Sequence, residues 1–456
     1  MPLLGQFTTV DEAFGYIESF TNLEKNTSTS VRSYRLDRMR VLLELFDHPD
    51  RSFKSIHIAG TKGKGSTAIF IASVLAEAGE KTGLYTSPHV TSYKERITLA
   101  GRFFEDSLYL DTVNTIRARL SKLPSGSLPA HGSPTTFELL TLLGFLMFRE
   151  VGCSWAVIET GIGGRLDATN VIMPEACVLT PVEKEHVELL GTTLPQIAGE
   201  KAGIIKQGKP VFCSFQKPEV RDVFTATAAL KEAPIRFLAD ELTALTTRLD
   251  LEGTKMAPTW GSEPSEEYYL SMHGDVQAEN AALAVLTLRS LSRMSIPGFP
   301  RITPDEIARG VVRAELPGRM EFFEGPAGPV VLDAAHTPIS AMRLLDSMRK
   351  IFPQGAVLIF GCVQGKDAEG MAAALATAFD EVIISTPGTF KKSDPPGVHA
   401  LFQAKNPRTR LILSPEEAYR AAVRLAQQGS KAGAPLPILV TGSFYMVSEI
   451  RKLLTA

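Results

Sequence analysis

The first half of the chain alternates short apolar runs with longer helix-like segments. The short runs have the length of buried strands, and the segments between them have the periodicity of helices. The predicted strands are Ser55–Ala59, Thr82–Thr86, Trp155–Glu159, Ala176–Leu179 and Pro210–Cys213. The predicted helices are Thr67–Ala78, Asp106–Leu120, Phe137–Val151 and Thr193–Ala202. Apolar strands separated by helices indicate an α/β fold with a doubly wound, mainly parallel sheet.

The pattern changes between residues 240 and 275, where short runs of alternating polar and apolar residues predict small antiparallel strands. Helices are expected at Asn280–Leu291 and Pro304–Arg313, and Leu316–Arg319 has the composition of a hinge. Beyond the hinge the alternation of strands and helices resumes. The strands predicted there are Pro329–Leu332, Ala356–Phe360, Glu381–Ile384 and Ile438–Val440. The helices are Ile339–Ile351, Met371–Ala378 and Pro415–Leu425. We therefore predict two domains, residues 1–316 and 317–456, the second a smaller Rossmann-like α/β domain.

Composition narrows the function classes. A chain of 456 residues is too long for one core, and a net charge of -2 gives no electrostatic reason to expect nucleic acid or an anionic membrane as a partner. The segment 1–9 lacks the pattern of a secretory signal, and the apolar stretches are shorter than the roughly 20 residues of a spanning helix. The four scattered cysteines (Cys153, Cys177, Cys213 and Cys362) indicate free thiols in a reducing cytosol. We expect a cytoplasmic protein.

The most informative motif is Ser55–Thr67, in which an apolar run enters a glycine-rich turn followed by an apolar helix. Glycines let backbone N–H groups approach an anion, the helix N-terminus adds partial positive charge, and Lys64 adds a full one. The match with the general phosphate-loop pattern is incomplete, because Ile58 replaces its first glycine and Gly65 replaces the Ser or Thr after the lysine. A surface turn is the alternative. The motif predicts a P-loop domain that binds a nucleotide at the carboxyl end of a strand.

Two polar residues follow other predicted strands. Ser87 comes after Thr82–Thr86, where it could simply cap a turn. Glu159 closes an apolar strand, where a carboxylate is costly unless it is paired or bound to a metal, and the glycines of Gly161–Gly164 let the backbone pass close to a neighbour. Mg²⁺ with nucleotide phosphates is the natural partner of such a carboxylate, and a tight loop with a solvated Glu is the alternative.

Three more positions carry possible chemistry. His186 lies in an acidic stretch that is typical of a solvated surface. Lys201 could be a cation that complements a helix dipole, or a buried amine of low pKa that takes up CO₂ and becomes an anionic metal ligand. Asp333 and His336 follow an apolar strand, which is where α/β domains place their sites. From the residues alone these alternatives stay open.

Taken in chain order, the motifs resemble the Mur-type ligases, in the branch of bifunctional dihydrofolate synthases and folylpolyglutamate synthases. Any one motif is weak, whereas the ordered set is specific and spans about residues 35 to 450. The matching elements are Gly60–Thr67, Tyr85–His89, Tyr93–Ile97, Glu159–Asn170, Leu190–Thr193, Glu200–Ile204, Leu316–Arg319 and Val440–Ser443.

The resemblance implies roles for individual residues. It implies that ATP is bound by Gly60, Thr61, Gly63, Lys64, Gly65, Ser66, Thr67, Asn280, Arg319 and Asp333. It implies that Mg²⁺ is held by Ser66, Ser87, Glu159, His186 and Lys201, the last as a carbamylated lysine. It also implies catalytic roles for Lys64, Lys201 and His336, with His336 near the glutamate side of the cleft.

Five residues depart from the motifs of the family. Lys62 stands where the phosphate loop of the family has Asn, and Glu185 stands where an Asp precedes the metal-binding His. Val276 replaces a His, and Ala334 and Thr337 replace the Gly and Asn around His336. These positions lie near nucleotide, metal and glutamate in the family. They put details of the substrate in doubt more than the phosphate chemistry.

The implied reaction begins with attack of a folate-type carboxylate on the γ-phosphate of ATP. L-Glutamate then attacks the acyl phosphate to form an amide. The implied partners are a pterin or folate acid, L-glutamate and ATP, bound by a monomer, and the pterin-binding loop is placed at Tyr34–Arg38. One alternative is a Mur-type ligase acting on another acid, such as a nucleotide-linked muramyl precursor. Another is a nucleotide-binding protein without ligase activity, suggested by Thr337 and Val276. The Gly-Lys-Gly-Ser form of the loop favours the folate branch.

Overall fold

A computed structural model describes residues 5–22, 36–124, 126–129, 132–294, 296–429 and 435–455. Its larger domain is built on a seven-stranded sheet. The strands are β1 (Lys54–Ala59), β2 (Thr82–Tyr85), β3 (Ile97–Leu99), β4 (Trp155–Glu159), β5 (Ala176–Leu179), β6 (Val211–Cys213) and β7 (Ile235–Phe237). Their order is β3-β2-β4-β1-β5-β6-β7, and all pairs are parallel except β3 with β2. The predicted mainly parallel, doubly wound sheet is confirmed.

Helices cover both faces of this sheet. The helices up to the sixth strand are α1 (Val10–Glu18), α2 (Leu36–Leu45), α3 (Lys64–Glu77), α4 (Asp106–Leu120), α5 (Thr136–Glu150), α6 (Val187–Leu190) and α7 (Leu194–Ala202). Those that follow are α8 (Pro218–Leu230), α9 (Leu238–Glu241), α10 (Asp275–Arg293) and α11 (Pro304–Arg313). Short 3₁₀ turns lie at Pro49–Arg51, Tyr93–Arg96 and Ala168–Val171.

The strands alternate between two cores. Ile56, Ile58 and Val157 pack with helices α3, α10 and α11 on one face, whereas Ala156 and Ile158 pack with α1, α2, α4 and α5 on the other. Helix α3 is buried over almost its whole length, which explains its apolar sequence, and each large apolar side chain there contributes about 1.5–3 kcal/mol. The face that carries Val157 also carries Glu159, since alternate residues of a strand share a face.

The segment 240–275 forms a three-stranded antiparallel sheet, as predicted. Its strands are β8 (Leu242–Leu249), β9 (Thr254–Trp260) and β10 (Tyr268–Leu270), in the order β10-β9-β8. Buried residues of β9 and β10 belong to the same core as helices α3 and α10. The small sheet therefore extends the larger domain on the side of the phosphate loop.

The C-terminal domain has its own sheet. Its strands are β11 (Glu321–Gly325), β12 (Gly328–Leu332), β13 (Val357–Phe360), β14 (Glu381–Ile384), β15 (Thr409–Leu411) and β16 (Ile438–Thr441). They lie in the order β11-β12-β16-β13-β14-β15, parallel except for β11. The helices are α12 (Pro338–Ile351), α13 (Ala368–Leu375), α14 (Pro395–Gln403), α15 (Pro415–Gln428) and α16 (Phe444–Thr455). The predicted second α/β domain is confirmed.

Some sequence predictions need correction. Helix α3 begins at Lys64 instead of Thr67, because Gly63 adopts a left-handed conformation and is the N-cap. The helix predicted at Met371–Ala378 is split into α13 and a 3₁₀ turn at Ala376–Ala378. Of the predicted pterin-binding loop, Tyr34 and Arg35 lie outside the described residues, and 36–38 begin helix α2 instead of a loop. In the described part of the chain, no helix has the length and apolar character needed to cross a membrane.

Candidate active site

The turn at Gly60–Gly63 joins β1 to α3 at the carboxyl end of the sheet. Gly63 has φ 81°, and a β-carbon there would collide with the Asn280 amide from helix α10. The N–H groups of the first turn of a helix have no partner within that helix, so they are free to face an anion. The predicted loop therefore has the geometry of an anion site, and Asn280 lies directly against it.

Gly65 explains why the chain departs from the general phosphate-loop pattern. A β-carbon at this position would lie 3.2 Å from Glu159 Oε2 and 3.4 Å from Leu316 Cδ2. The Ser or Thr of the general pattern would therefore press on the end of β4 and on the segment that leads to the C-terminal domain. Glycine lets both approach the phosphate loop.

Glu159 is buried where the end of β4 meets the first turn of α3, the loop after β2 and the hinge segment. Its Oε1 lies 3.6 Å from Lys64 Nζ, and its Oε2 accepts the Ser87 N–H at 3.0 Å. Burial raises the pKa of the Glu159 carboxyl, while the charges of Lys64 and Arg319 and the Ser87 hydrogen bond lower it. The nearby cations stabilise this buried carboxylate. The alternative of a tight loop with a solvated Glu159 is therefore wrong.

Lys201 is also buried. It ends helix α7, and its Nζ donates to the Gly60 carbonyl at 2.7 Å. Burial, with the nearby charges of Lys64 and Lys62, lowers the pKa of this amine to about 7. Of the two alternatives for Lys201, its burial and lowered pKa favour the buried amine over a fully charged cation at a helix end.

Close backbone contacts hold Lys201 beside the glycine-rich loop after β4. A β-carbon at Gly164 would lie 2.8 Å from the Glu200 carbonyl oxygen and 2.9 Å from that of Lys201. A β-carbon at Gly203 would collide with Arg165. Both glycines are required so that the end of α7 packs against the loop, and this contact places the Lys201 amine under the phosphate loop.

His186 has left-handed backbone angles, φ 51° and ψ 41°, at the start of the short helix α6. Burial lowers the pKa of its imidazole to about 4, and Glu185, Lys366 and Lys201 are among the charges that act on it. The prediction that His186 lies on a solvated acidic surface is therefore wrong. Between His186 and either Ser87 or Glu159, both described, there is no hydrogen bond or ion pair, so the structure joins Ser87 to Glu159 but does not bring His186 into contact with them.

The predicted oxygen and nitrogen ligands fit a Mg²⁺ site by their chemistry. A strand-end carboxylate and two serine hydroxyls are ligands that Mg²⁺ prefers, and the neutral His186 imidazole is able to coordinate a cation. Across the described ranges, no group of three His, Cys, Asp or Glu side chains could hold a metal. The predicted set has one carboxylate and one imidazole, completed by two serine hydroxyls and Lys201, so it does not form a group of three such side chains.

Arg319 and Asp333 lie across the cleft on the C-terminal domain. Asp333 accepts the N–H groups of Met320 and Ala335 at 3.0 and 2.8 Å, which ties the hinge to the end of β12. Burial raises the pKa of Asp333, and the Arg319 charge opposes this effect. The Arg319 guanidinium lies 4.7 Å from the centre of the Phe444 ring. The carboxylates of Asp333 and of Glu159 in the larger domain both act on the Arg319 charge, so Arg319 links the two domains electrostatically.

His336 lies in a charged cluster that the local sequence pattern does not predict. Its Nε2 is 3.2 Å from Lys62 Nζ and 3.2 Å from Glu185 Oε1. Lys366 Nζ lies 3.6 Å from the same carboxylate oxygen. Lys366 was missed, although it follows β13 and so lies at a carboxyl strand end, where the same rule that selected Asp333 would have found it.

A cavity of about 470 Å³ lies between the two domains. Its wall includes Gly65, Ser87 and Glu159 from the larger domain, and Arg319 and Phe444 from the C-terminal domain. Asn280, Lys201 and His336 do not belong to this wall. Together with the phosphate loop, the cavity forms a cleft large enough for small molecules to meet between the domains.

Comparison with known proteins agrees with this geometry. Residues 58–288 match the Mur ligase middle domain, and residues 318–444 match the Mur ligase glutamate ligase domain. A folylpolyglutamate synthase from Lacticaseibacillus casei is 33% identical over 97% of this chain and 98% of its own length. A dihydrofolate synthase/folylpolyglutamate synthase from Bacillus subtilis is 31% identical over 91% of this chain and 94% of its own.

Solved structures of folylpolyglutamate synthases have a similar fold. The Mycobacterium tuberculosis folylpolyglutamate synthase complexed with ADP has a TM-score of 0.86 at 28% identity, covering 98% of both chains. A folylpolyglutamate synthase structure described as an AMPPCP–folate complex has a TM-score of 0.81 at 30% identity, covering 98% of this chain and all of the other. On these matches in sequence and fold, the chain belongs to the Mur ligase family, in its folylpolyglutamate synthase/dihydrofolate synthase branch.

Proposed function

We propose that this protein is an ATP-dependent carboxylate–amine ligase that adds L-glutamate to dihydropteroate, to reduced folates, or to both, through an acyl phosphate. The observation that carries the proposal is the convergence of Lys64, Glu159 and the Ser87 backbone at the phosphate loop, opposite Arg319 of the C-terminal domain. The names of the relatives, and the ADP, AMPPCP and folate in the titles of the solved structures, support the substrate class.

ATP is proposed to bind with its phosphates on the loop. Lys64 and the N–H groups of the first turn of α3 would contact the phosphates, with Gly60, Thr61 and Thr67 shaping the loop. Asn280 lies against Gly63 and would contact the nucleotide from helix α10. Arg319 and Asp333 would contact it from the C-terminal domain. One nucleotide would then touch both domains and favour closure of the cleft.

Mg²⁺ is proposed to be held by Ser66, Ser87, Glu159, His186 and a carbamylated Lys201. When bound, it would neutralise charge on the phosphates and the reacting carboxylate. Glu159 already pairs with Lys64, so the site stays compensated without the cation. The buried position of Glu159 also holds its carboxylate in one place, which favours a fixed arrangement of phosphate and acceptor.

Carbamylation of Lys201 is proposed from the chemistry of its amine. A neutral amine adds CO₂ through a new N–C bond and releases one proton, which leaves an anionic carbamate. A pKa of about 7 makes a large share of Lys201 neutral near pH 7. Lys62 and Lys64 are among the charges that act on this position, so the change from a cation to an anion there relieves repulsion and creates attraction.

The remaining steps follow from this arrangement. Lys64 would stabilise the charge that develops as the acceptor carboxylate attacks the γ-phosphate, and closure of the cleft would keep water from the acyl phosphate. His336 would lie on the side from which the amino group of glutamate attacks. We also propose a domain boundary at residues 316/317, a monomeric state and a cytoplasmic location, without nucleic acid or membrane partners.

ADP formation tests this function directly. The purified protein would be given ATP with dihydropteroate or tetrahydrofolate, each with and without L-glutamate. Glutamate-dependent ADP release with either acceptor is the expected result. ADP release only with a nucleotide-linked muramyl acid, or from no acceptor at all, would contradict the proposal.

A further inference from the structure

Two residues that depart from the family motifs contact each other. Lys62 Nζ lies 3.1 Å from Glu185 Oε2, although the residues are 123 positions apart in the chain. Lys62 belongs to the phosphate loop, and Glu185 belongs to the loop after β5. The two departures, which look independent in the sequence, form one ion pair between two loops of the larger domain.

The pair reaches across the cleft to the C-terminal domain. Lys62 Nζ and Glu185 Oε1 each lie 3.2 Å from His336 Nε2, and Lys366 Nζ lies 3.6 Å from Glu185 Oε1. We call Lys62, Glu185, His336 and Lys366 the cross-domain cluster. It contains two cations around one carboxylate and one imidazole, so the carboxylate separates charges that would otherwise repel each other.

The other side of the His336 ring is held by its own domain. Its Nδ1 is 2.9 Å from the Ala334 carbonyl oxygen, which accepts only, so Nδ1 carries a proton. Its Nε2 faces both the Lys62 ammonium, which only donates, and the Glu185 carboxylate, which only accepts. The direction of the ring is therefore fixed by groups on both sides of the cleft.

The cluster is shielded from water, with 23%, 19% and 19% of the Lys62, Glu185 and His336 side chains exposed. Interactions between charges are stronger in such partly buried positions than on an open surface. The pair is thus well placed to hold a neighbouring ring.

We propose that Lys62 and Glu185 act together as positioning residues that hold the His336 imidazole in one direction from across the cleft, on the side where the amino acid is proposed to bind. The inference rests on the proposed glutamate side of the cleft, and it adds the residues that prepare this side. Neither residue acts alone: without Glu185, Lys62 faces Lys366, and without Lys62, Lys366 is the one cation of the cluster that remains beside Glu185.

A double-mutant cycle tests this coupling. Lys62→Met and Glu185→Gln are each expected to raise the KM for L-glutamate at least about tenfold, while the KM for ATP changes less than about threefold. The double variant is expected to resemble either single variant, because both remove the same positioning contact. Lys62→Arg keeps a donor at this point and is expected to recover most of the loss. Effects that multiply in the double variant, or that fall on the KM for ATP, would overturn the proposal.

A matched control separates positioning from general attachment of the domains. Lys350 Nζ also joins the two domains, 2.5 Å from Asp275 Oδ2, but Lys350 and Asp275 make no contact with the cluster. Lys350→Met is expected to leave the KM for L-glutamate within about twofold. An equal rise in this KM for Lys350→Met and Lys62→Met would show that only the attachment matters, and it would overturn the proposal.

A readout without turnover keeps the inference distinct from the proposed function. ¹⁵N NMR of the histidine ring reports the surroundings of both ring nitrogens of His336 in the whole protein, with His336→Gln used for assignment. A protonated Nδ1 is expected in the wild type, and a shifted or broadened Nε2 signal is expected in Lys62→Met, because this variant removes the ammonium that Nε2 faces. An unchanged Nε2 signal in this variant would overturn the inference even if the wild type is an active ligase, whereas an inactive wild type with the expected change would overturn only the function.

Discussion

Gly65 and Glu159 are packed so closely that a methyl group at position 65 would touch the carboxylate, with a β-carbon 3.2 Å from Oε2. Gly65 is helical, so Gly65→Ala should by helix propensity add up to about 1 kcal/mol to the free energy of unfolding. In this chain the new methyl group instead presses on Glu159 and on its contacts with Lys64 and Ser87. We expect glutamate-dependent ADP release to fall about tenfold or more, measured by steady-state kinetics.

Gly15→Ala is the matched control for this substitution. Gly15 is also helical, in α1, and apart from its own helix backbone and its chain neighbours nothing lies within 4 Å of the position of its β-carbon. The control should keep full activity and raise the melting temperature slightly. Equal activity of Gly65→Ala and Gly15→Ala would show that the close approach of Glu159 has no functional role.

Lys64 is predicted to be essential for turnover. It is the cation nearest to the buried Glu159 and lies at the first turn of α3, where the γ-phosphate is proposed to bind. Lys64→Ala should lower ADP release by about 10²–10³-fold or more, with a far-ultraviolet circular dichroism spectrum like that of the wild type. Lys94→Ala, which breaks the exposed Lys94–Asp106 pair, serves as a control and should remain active. Near-normal turnover by Lys64→Ala would remove this residue from the mechanism.

The phosphate loop, the parallel sheet and the second α/β domain could all be predicted from the sequence, because each depends on local pattern: apolar strands, a glycine-rich turn and helix signals. Strands β11 and β15 at the edges of the C-terminal sheet were missed, since their exposed polar residues mask the strand pattern. The Lys62–Glu185 pair could not be predicted either, because it joins two loops of the larger domain that are 123 positions apart in the chain. The place of Lys366 after β13 follows from the strand-end rule, but its contact with Glu185 depends on how the two domains meet, and no local pattern carries that information.

Burial changed the interpretation of His186 and Lys201. Both are typical of a solvated surface or a helix end when only neighbouring residues are considered. In the structure burial is the largest cause of the lowered pKa at each, and at Lys201 the close packing of Gly164 against the end of α7 accompanies this burial. Tertiary packing therefore decides the chemistry of these two side chains.

Carbamylation of Lys201 predicts a chemical rescue. Lys201→Ala should be inactive, because it removes both the carbamate and the contact with Gly60. Short carboxylic acids such as acetate should restore part of the activity by filling the cavity with an anion. The wild type should lose activity in buffer depleted of CO₂ and recover it on addition of bicarbonate. Full activity in depleted buffer, together with absent rescue, would count against the modification.

His57 makes stability depend on pH. It is fully buried in β1, its Nε2 lies 2.8 Å from Thr169 Oγ1, and burial lowers the pKa of its imidazole to about 3. Below the ordinary histidine pKa of about 6.5, the unfolded chain binds a proton that the folded chain does not. The stabilising effect of the neutral ring is therefore complete above pH 6.5 and is lost as the pH falls towards 3.

As the pH falls from 6.5 to 3, protonation of His57 in the unfolded chain should lower the free energy of unfolding by at most about 1.4 kcal/mol for each pH unit. Urea unfolding at pH 7.5 and pH 5.0 measures the difference, with His57→Gln as the variant that cannot titrate. The variant should be less stable at pH 7.5 but lose less stability between the two pH values. The same loss in both proteins would assign the pH dependence to other groups.

A crystal structure of the protein with Mg²⁺ and a non-hydrolysable ATP analogue tests the proposed phosphate and metal site most directly. We expect the phosphates to contact the Gly63–Ser66 backbone and Lys64, with a cation between them and Glu159. The result that would contradict it is a nucleotide bound elsewhere, with Ser87, Glu159 and His186 too far apart to reach the metal ions at its phosphates.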